Sequence, residues 1–102
     1  MPARRVIFHG GARQDIEEAF AWYFERSERT AADFVLALER AVALIQEAPT
    51  SWPTRGSQCR AYLLARFPFS IIYRFDETQL EIVAVEHASR RPGYWRARLE
   101  SS

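Results

Sequence analysis

Two short apolar runs on either side of a polar tetrapeptide constrain this chain more than any other feature. Phe69 to Phe75 (FSIIYRF) and Leu80 to His87 (LEIVAVEH) flank Asp76-Glu77-Thr78-Gln79. Both runs are rich in β-branched and aromatic side chains and are too short for helices of ordinary length, so they read as strands joined by a turn. Each is apolar on both faces over part of its length. A strand of that kind has to be covered on both sides.

The covering layer lies upstream. From Ala12 the apolar residues switch to helical spacing, with Ile16, Ala19, Phe20 and Tyr23 on one face. Asp15, Glu17 and Glu18 fall in the first turns, where acids complement the helix dipole. Trp22 and Phe24 lie outside that stripe and suggest cover on more than one side. Ser27-Glu28-Arg29 is a tight polar connection. Thr30 opens a second helix, with Asp33 three residues on as a capping-box partner. Its face is Phe34, Leu38, Ala41, Val42 and Ile45, and Pro49 ends it. The two helices form an antiparallel hairpin.

Val6-Ile7-Phe8 reads as a first strand, broken by Gly10-Gly11. Residues 49–58 (PTSWPTRGSQ) form a loop by composition. Arg60 to Arg66 alternates as a strand, and Phe67-Pro68 marks an edge or bend before the next. The order is β-α-α-β-β-β. The expected fold is α+β, a helical hairpin packed on one antiparallel sheet, in a single domain over 1–102. At 102 residues such a domain buries roughly 65% of the surface its unfolded chain exposes, enough for one core. The apolar fraction of 48% suits a globular protein and argues against disorder.

Cys59 is the only cysteine, so an internal disulfide is excluded and a reducing cytoplasm is expected. The N-terminal apolar run spans only three residues, too few for a signal peptide. No run nears the roughly 20 apolar residues of a membrane helix, and no membrane partner is expected. His9, His87 and Cys59 lack ligand spacing, so neither a metal nor another cofactor is expected. Gly10-Gly11 is a turn rather than a phosphate loop.

The charge is uneven. Residues 1–51 carry a net −2 and residues 52–102 a net +3, and all 14 basic residues are Arg. Guanidinium groups bind carboxylates and phosphates in bidentate fashion and stack on aromatic rings. Arg60, Arg66 and Arg74 sit at strand ends, either as rim residues or converging on one sheet face with the tail. Arg90-Arg91 and Arg96-Arg98 flank Pro92-Gly93-Tyr94-Trp95, with no acid between His87 and Leu99. Such a tail suits stacking with phosphate contact, and equally an aromatic anchor that pins it to the body. His87 closes the last strand beside it, as a functional imidazole or a satisfied one. Glu17, Glu18, Glu25 and Glu28 read as a solvated helix face, Trp52 as a lid over the core, and Cys59 as a filler at a strand edge.

The helix pair DIEEAFAWYFER…AADFVLALERAVALIQEAP, the phrase RFPFSIIYRF and the phrase EIVAVEHASRRPGYW, in this order, resemble the RelE/ParE superfamily. These are the toxins of type II toxin–antitoxin systems, also labelled plasmid stabilisation proteins. The resemblance covers about Val6 to Arg98. It implies a cognate antitoxin as partner and one of two activities. RelE-like members cut mRNA on the ribosome without a metal, and His87 and Tyr94 would then be the catalytic residues. ParE-like members are not enzymes but poison DNA gyrase by binding. Where the nucleases carry an arginine before the core of the third strand and a basic group past the last, this chain has Ser70 and Ala88. Tyr94 does match their C-terminal tyrosine. The third strand ending Tyr73-Arg74 and His87 closing the last strand are closer to ParE. The expected reading is a cytoplasmic ParE-like gyrase inhibitor, with the ribosome-dependent nuclease or a non-toxic antitoxin-binding remnant as alternatives. Arg60, Arg66, Arg74, Arg90, Arg91, Trp95 and Arg96 are the expected contacts to target or antitoxin.

Overall fold

A computed structural model describes residues 4–100. Residues 1–3 of the N-terminal stretch, and 101–102, lie outside the described residues. The elements run β1 (Arg5–Phe8), α1 (Gly10–Arg26), α2 (Glu28–Glu47), β2 (Thr54–Arg55), β3 (Cys59–Leu63), β4 (Phe69–Phe75) and β5 (Gln79–His87), then a short 3-10 helix, Arg96–Glu100. The α+β architecture is as expected, with both helices packed on one sheet of order β1-β5-β4-β3-β2.

Ser27 alone separates the helices. It is extended (φ −166°, ψ 115°), its N–H donates to the Tyr23 carbonyl, and its hydroxyl accepts from the Thr30 N–H at 3.2 Å. One residue thus ends α1 and caps α2, and Thr30 is not the cap. Ser serves here because its hydroxyl replaces a missing intrahelical acceptor. Along α2, Ala31, Phe34, Leu38, Ala41 and Ile45 are buried at spacings of three and four, the stripe expected of a helix lying on a sheet. On α1 the buried face is Ala12, Asp15 and Ala19, with Ile16 and Tyr23 packed beside it. Phe20 turns outward and stacks on Phe24 at 5.7 Å, and Trp22 is exposed beneath Arg26. The buried stripe is therefore rotated from the expected one.

Rings of Tyr23, Phe34, Phe67 and Phe69 close the core between helices and sheet, with centroids 5.3–6.4 Å apart in their contacts. Trp52 packs on this core edge-to-face with Tyr62 at 4.7 Å, the lid its loop position suggests.

The sheet is mixed rather than antiparallel. β3, β4 and β5 pair antiparallel, with a register shift at Ile72/Tyr73. β1 runs parallel to β5, from Arg5↔Gln79 to Phe8↔Ile82. Antiparallel direction can be read only where a hairpin turn joins two strands. β1 reaches β5 through the whole intervening chain, and a long crossover permits parallel pairing. The loop 49–58 also holds the two-residue strand β2, paired to β3 at Thr54↔Arg60 and Arg55↔Cys59.

Candidate functional site

The C-terminal segment folds back over the sheet face opposite the helices. Trp95 is 1% exposed and packs with Cys59, Ile72, Val83 and Ala84 in a second core, with Ala61, Tyr94 and Leu99 around it. Burial there pushes the Cys59 thiol up from its ordinary pKa, so the group is an inert filler rather than a nucleophile.

Two buried carboxylates hold the segment. Glu86 accepts from Arg55 at 2.6 Å, from the Trp95 indole N–H at 3.0 Å and from the Gly93 N–H at 3.4 Å. Gly93 adopts φ +76°, a left-handed turn that a Cβ would strain, and this turn brings Trp95 under the sheet. The first turn of α1 holds no acid, contrary to expectation, because the helix starts at Gly10; Asp15, one turn further on, accepts from the Val85 N–H at 3.1 Å and the Tyr94 hydroxyl at 2.9 Å. It also takes two N–H groups of Arg98, at 2.8 and 3.2 Å, while Arg98 donates to the Val83 carbonyl at 3.0 Å. Arg98 can cross α1 there because Gly11 has no side chain; a Cβ would collide with its guanidinium. Asp15 thereby clasps helix, strand and tail together.

A pocket of about 540 Å³ opens between α1 and this clasp. Trp22, Tyr23, Phe69 and Val85 form an apolar wall, and His87, Arg90 and Tyr94 lie at the polar end. Burial and the neighbouring Asp15 charge hold the Tyr94 phenol well above its ordinary pKa, so it keeps its proton. His87 Nδ1 accepts the Ser89 N–H at 2.9 Å and lies 2.7 Å from the Ser89 hydroxyl. Its ring meets Phe69 edge-on at 4.9 Å. Arg90 lies over the Tyr94 ring at 3.9 Å. Arg90, Arg91 and Arg96 are exposed, forming a cationic rim with no ion pair among the described residues.

The expected site residues thus divide. His87, Arg90 and Tyr94 share one pocket, and Arg91 and Arg96 stand on the same exposed segment. Trp95 is inside the protein, where it anchors the tail and offers no contact surface. Arg60, Arg66 and Arg74 do not converge on one face. Arg60 donates to the Thr50 and Trp52 carbonyls at 3.3 and 2.7 Å, bracing the loop. Arg66 is 4.0 Å from Asp33 of α2. Arg74 pairs with Glu81 at 2.6 Å and donates to the Leu99 carbonyl. The sequence reading missed Asp15 and Glu86 as clasp residues. A signal existed for one of them: Asp15 falls three residues after Ala12 and four before Ala19, on the buried stripe of α1.

Among the described residues no three His, Cys, Asp or Glu side chains gather as a metal site requires, and no helix is long and apolar enough to cross a membrane.

The fold has a known counterpart. A solved structure described as the chromosomal ParDE TA system from P. aeruginosa superposes with a TM-score of 0.72 at 19% identity, covering 85% of this chain and 98% of that one. That likeness concerns the fold. Toxin ParE2 of Mycobacterium tuberculosis, in strains CDC 1551 / Oshkosh and ATCC 25618 / H37Rv, is 26% identical over 90 residues, which is 87% of this chain and 86% of the relative. Residues 6–92 match the family described as ParE toxin of type II toxin-antitoxin system, parDE. With that match spanning most of the described fold, the chain belongs to the ParE toxin family and is the toxin of a type II toxin–antitoxin pair, whose partner is a cognate antitoxin.

Proposed function

We propose that this toxin acts in the cytoplasm by binding DNA gyrase and holding its cleaved-DNA complex, and that the antitoxin blocks this contact. The observation that carries the reading is the commitment of Tyr94. A general base works best with a pKa near the operating pH and a proton-accepting oxygen turned to the substrate. The Tyr94 hydroxyl instead donates to Asp15, and its pKa is raised. Ser70 and Ala88 offer no cation where the nuclease members of the superfamily need one. Losing one such donor commonly costs a factor of about 10² to 10³ in rate. What the segment does present is Arg90, Arg91 and Arg96, suited to an acidic protein surface or to phosphates.

Purified gyrase tests this. Added chain is expected to suppress supercoiling and to accumulate double-strand-cleaved plasmid. Arg90→Ala with Arg91→Ala is expected to weaken the effect about tenfold or more, while the melting temperature falls by only about 2–6 °C through the lost Arg90 stacking on Tyr94. Full potency in that variant would remove the rim from the mechanism, and gyrase unaffected by the unaltered chain would remove the target.

A second reading rests on His87, Arg90 and Tyr94 sharing one pocket. If the chain cuts mRNA on the ribosome, Tyr94→Phe should lower cleavage sharply. Unchanged cleavage would leave the tyrosine with its structural role alone.

A further inference from the structure

The pocket of about 540 Å³ between α1 and the tail has the size of a small-ligand site, a class that spans about 300–1,000 Å³. Its walls are rings held in place by the fold itself. Tyr23 is locked edge-on against Phe67 and Phe69, with centroids 5.3 and 6.4 Å away. Trp22 meets Tyr23 edge-to-face at 5.2 Å, and Arg26 lies over the indole at 3.6 Å without lining the pocket. The Tyr94 ring is fixed by its hydroxyl on Asp15. Rings ordered in advance lose little freedom on binding, and they favour a flat aromatic guest over an aliphatic one of similar size.

The charges in the lining select further. Asp15 is consumed by Arg98, the Tyr94 hydroxyl and the Val85 N–H. His87 and Ser89 are turned to each other, with Nδ1 2.7 Å from the hydroxyl. That leaves Glu18 on α1 and Arg90 on the tail, both exposed and neither in an ion pair among the described residues. The helix side of the pocket thus offers a carboxylate. The tail side offers a guanidinium, already over the Tyr94 ring at 3.9 Å. A purely anionic guest would meet Glu18, and a purely cationic one would meet Arg90. An aromatic ring on a short stem that carries both an ammonium and a carboxylate satisfies the two together.

We infer that this pocket binds a free aromatic α-amino acid, with its ring against Trp22, Tyr23 and Phe69, its carboxylate on Arg90 and its ammonium on Glu18. The bound carboxylate draws Arg90 out of the cationic rim, so occupancy is coupled to whatever macromolecule the rim meets. The inference depends on neither gyrase nor the antitoxin.

The test titrates the full chain with L-tryptophan and L-phenylalanine, followed by calorimetry and amide NMR. Ligands of this size are expected to bind with a dissociation constant of about 0.1–1 mM. The shifted signals should be the amides of Ala19, Val85 and Ser89 and the Trp22 indole N–H. L-Leucine should bind about threefold or more weaker than L-phenylalanine. Phenethylamine and hydrocinnamate, which each lack one of its two charges, should also bind about threefold or more weaker. Arg90→Ala should remove the advantage of phenylalanine over phenethylamine, and Glu18→Gln its advantage over hydrocinnamate. Both positions are exposed, and thermal melting checks that each variant folds. Absence of binding by either amino acid at about tenfold above that range would overturn the inference. So would shifts confined to residues outside the pocket, or phenylalanine binding no better than its one-charge analogues. Adenosine monophosphate binding there more tightly than tryptophan would overturn it in favour of a nucleotide site.

Discussion

Replacing Asp15 with Ala should be the most damaging single change to the tail. The carboxylate accepts four hydrogen bonds, from the Val85 N–H, the Tyr94 hydroxyl and two N–H groups of Arg98. The Arg98 side chain is only 18% exposed, so the variant strands its charge largely out of water. Removing one member of a buried ion pair costs about 3–5 kcal/mol. Arg98 keeps the Val83 carbonyl, which points to the lower end, about 3 kcal/mol. A domain of this size has a total stability of about 5–15 kcal/mol, so the melting temperature should fall by about 10–20 °C. Urea unfolding followed by far-UV circular dichroism and tryptophan fluorescence measures this, since Trp95 is buried under the clasped segment. Arg98→Met removes the stranded charge. The double variant should therefore cost less than the two single changes added together, by about 1–2 kcal/mol. An Asp15→Ala cost below about 1 kcal/mol, or strict additivity with Arg98→Met, would refute the clasp.

Two further outcomes follow from the same geometry. Gly11→Ala should push Arg98 off Asp15 and cost about 1–3 kcal/mol in urea unfolding, and most of that cost should vanish in an Arg98→Met background. Burial pushes the Tyr73 phenol up to about 12, while its hydroxyl donates to the Pro49 carbonyl at 2.6 Å. Between pH 10 and 12 the unfolded chain loses this proton and the folded one keeps it, so stability is full below pH 10 and declines as pH rises toward 12. Tyr73→Phe should make that decline shallower, with the raised Tyr94 phenol supplying the remainder; an equal decline in the variant would remove Tyr73 as a source.

Much of the architecture was legible because its signals are local. The spacing of Phe34, Leu38, Ala41 and Ile45 shows both the second helix and the face it buries. The Asp76–Gln79 turn between two apolar runs shows the β4–β5 hairpin. Here Asp76 accepts the Thr78 and Gln79 N–H groups at 2.8 and 2.9 Å. What escaped depends on distant partners. The parallel pairing of β1 leaves no mark in residues 5–8, because direction is set by the chain between β1 and β5. Glu86 looks like one polar residue ending an apolar strand until Arg55 and Trp95 arrive. The tail arginines looked alike in sequence, yet Arg98 is bound to a carboxylate 83 positions away and Arg90 is exposed. The site was visible as a cationic, aromatic segment. Its division into anchor residues (Tyr94, Trp95, Arg98) and rim residues (Arg90, Arg91, Arg96) required the fold.

The division between anchor and rim makes the target the central question. Incorporation of labelled thymidine and labelled methionine should be followed in bacteria within minutes of inducing this chain without its antitoxin. A gyrase poison predicts an early fall in thymidine incorporation while methionine incorporation continues. An early fall in methionine incorporation with DNA synthesis intact would contradict the account and move Tyr94, His87 and Arg90 into a catalytic role.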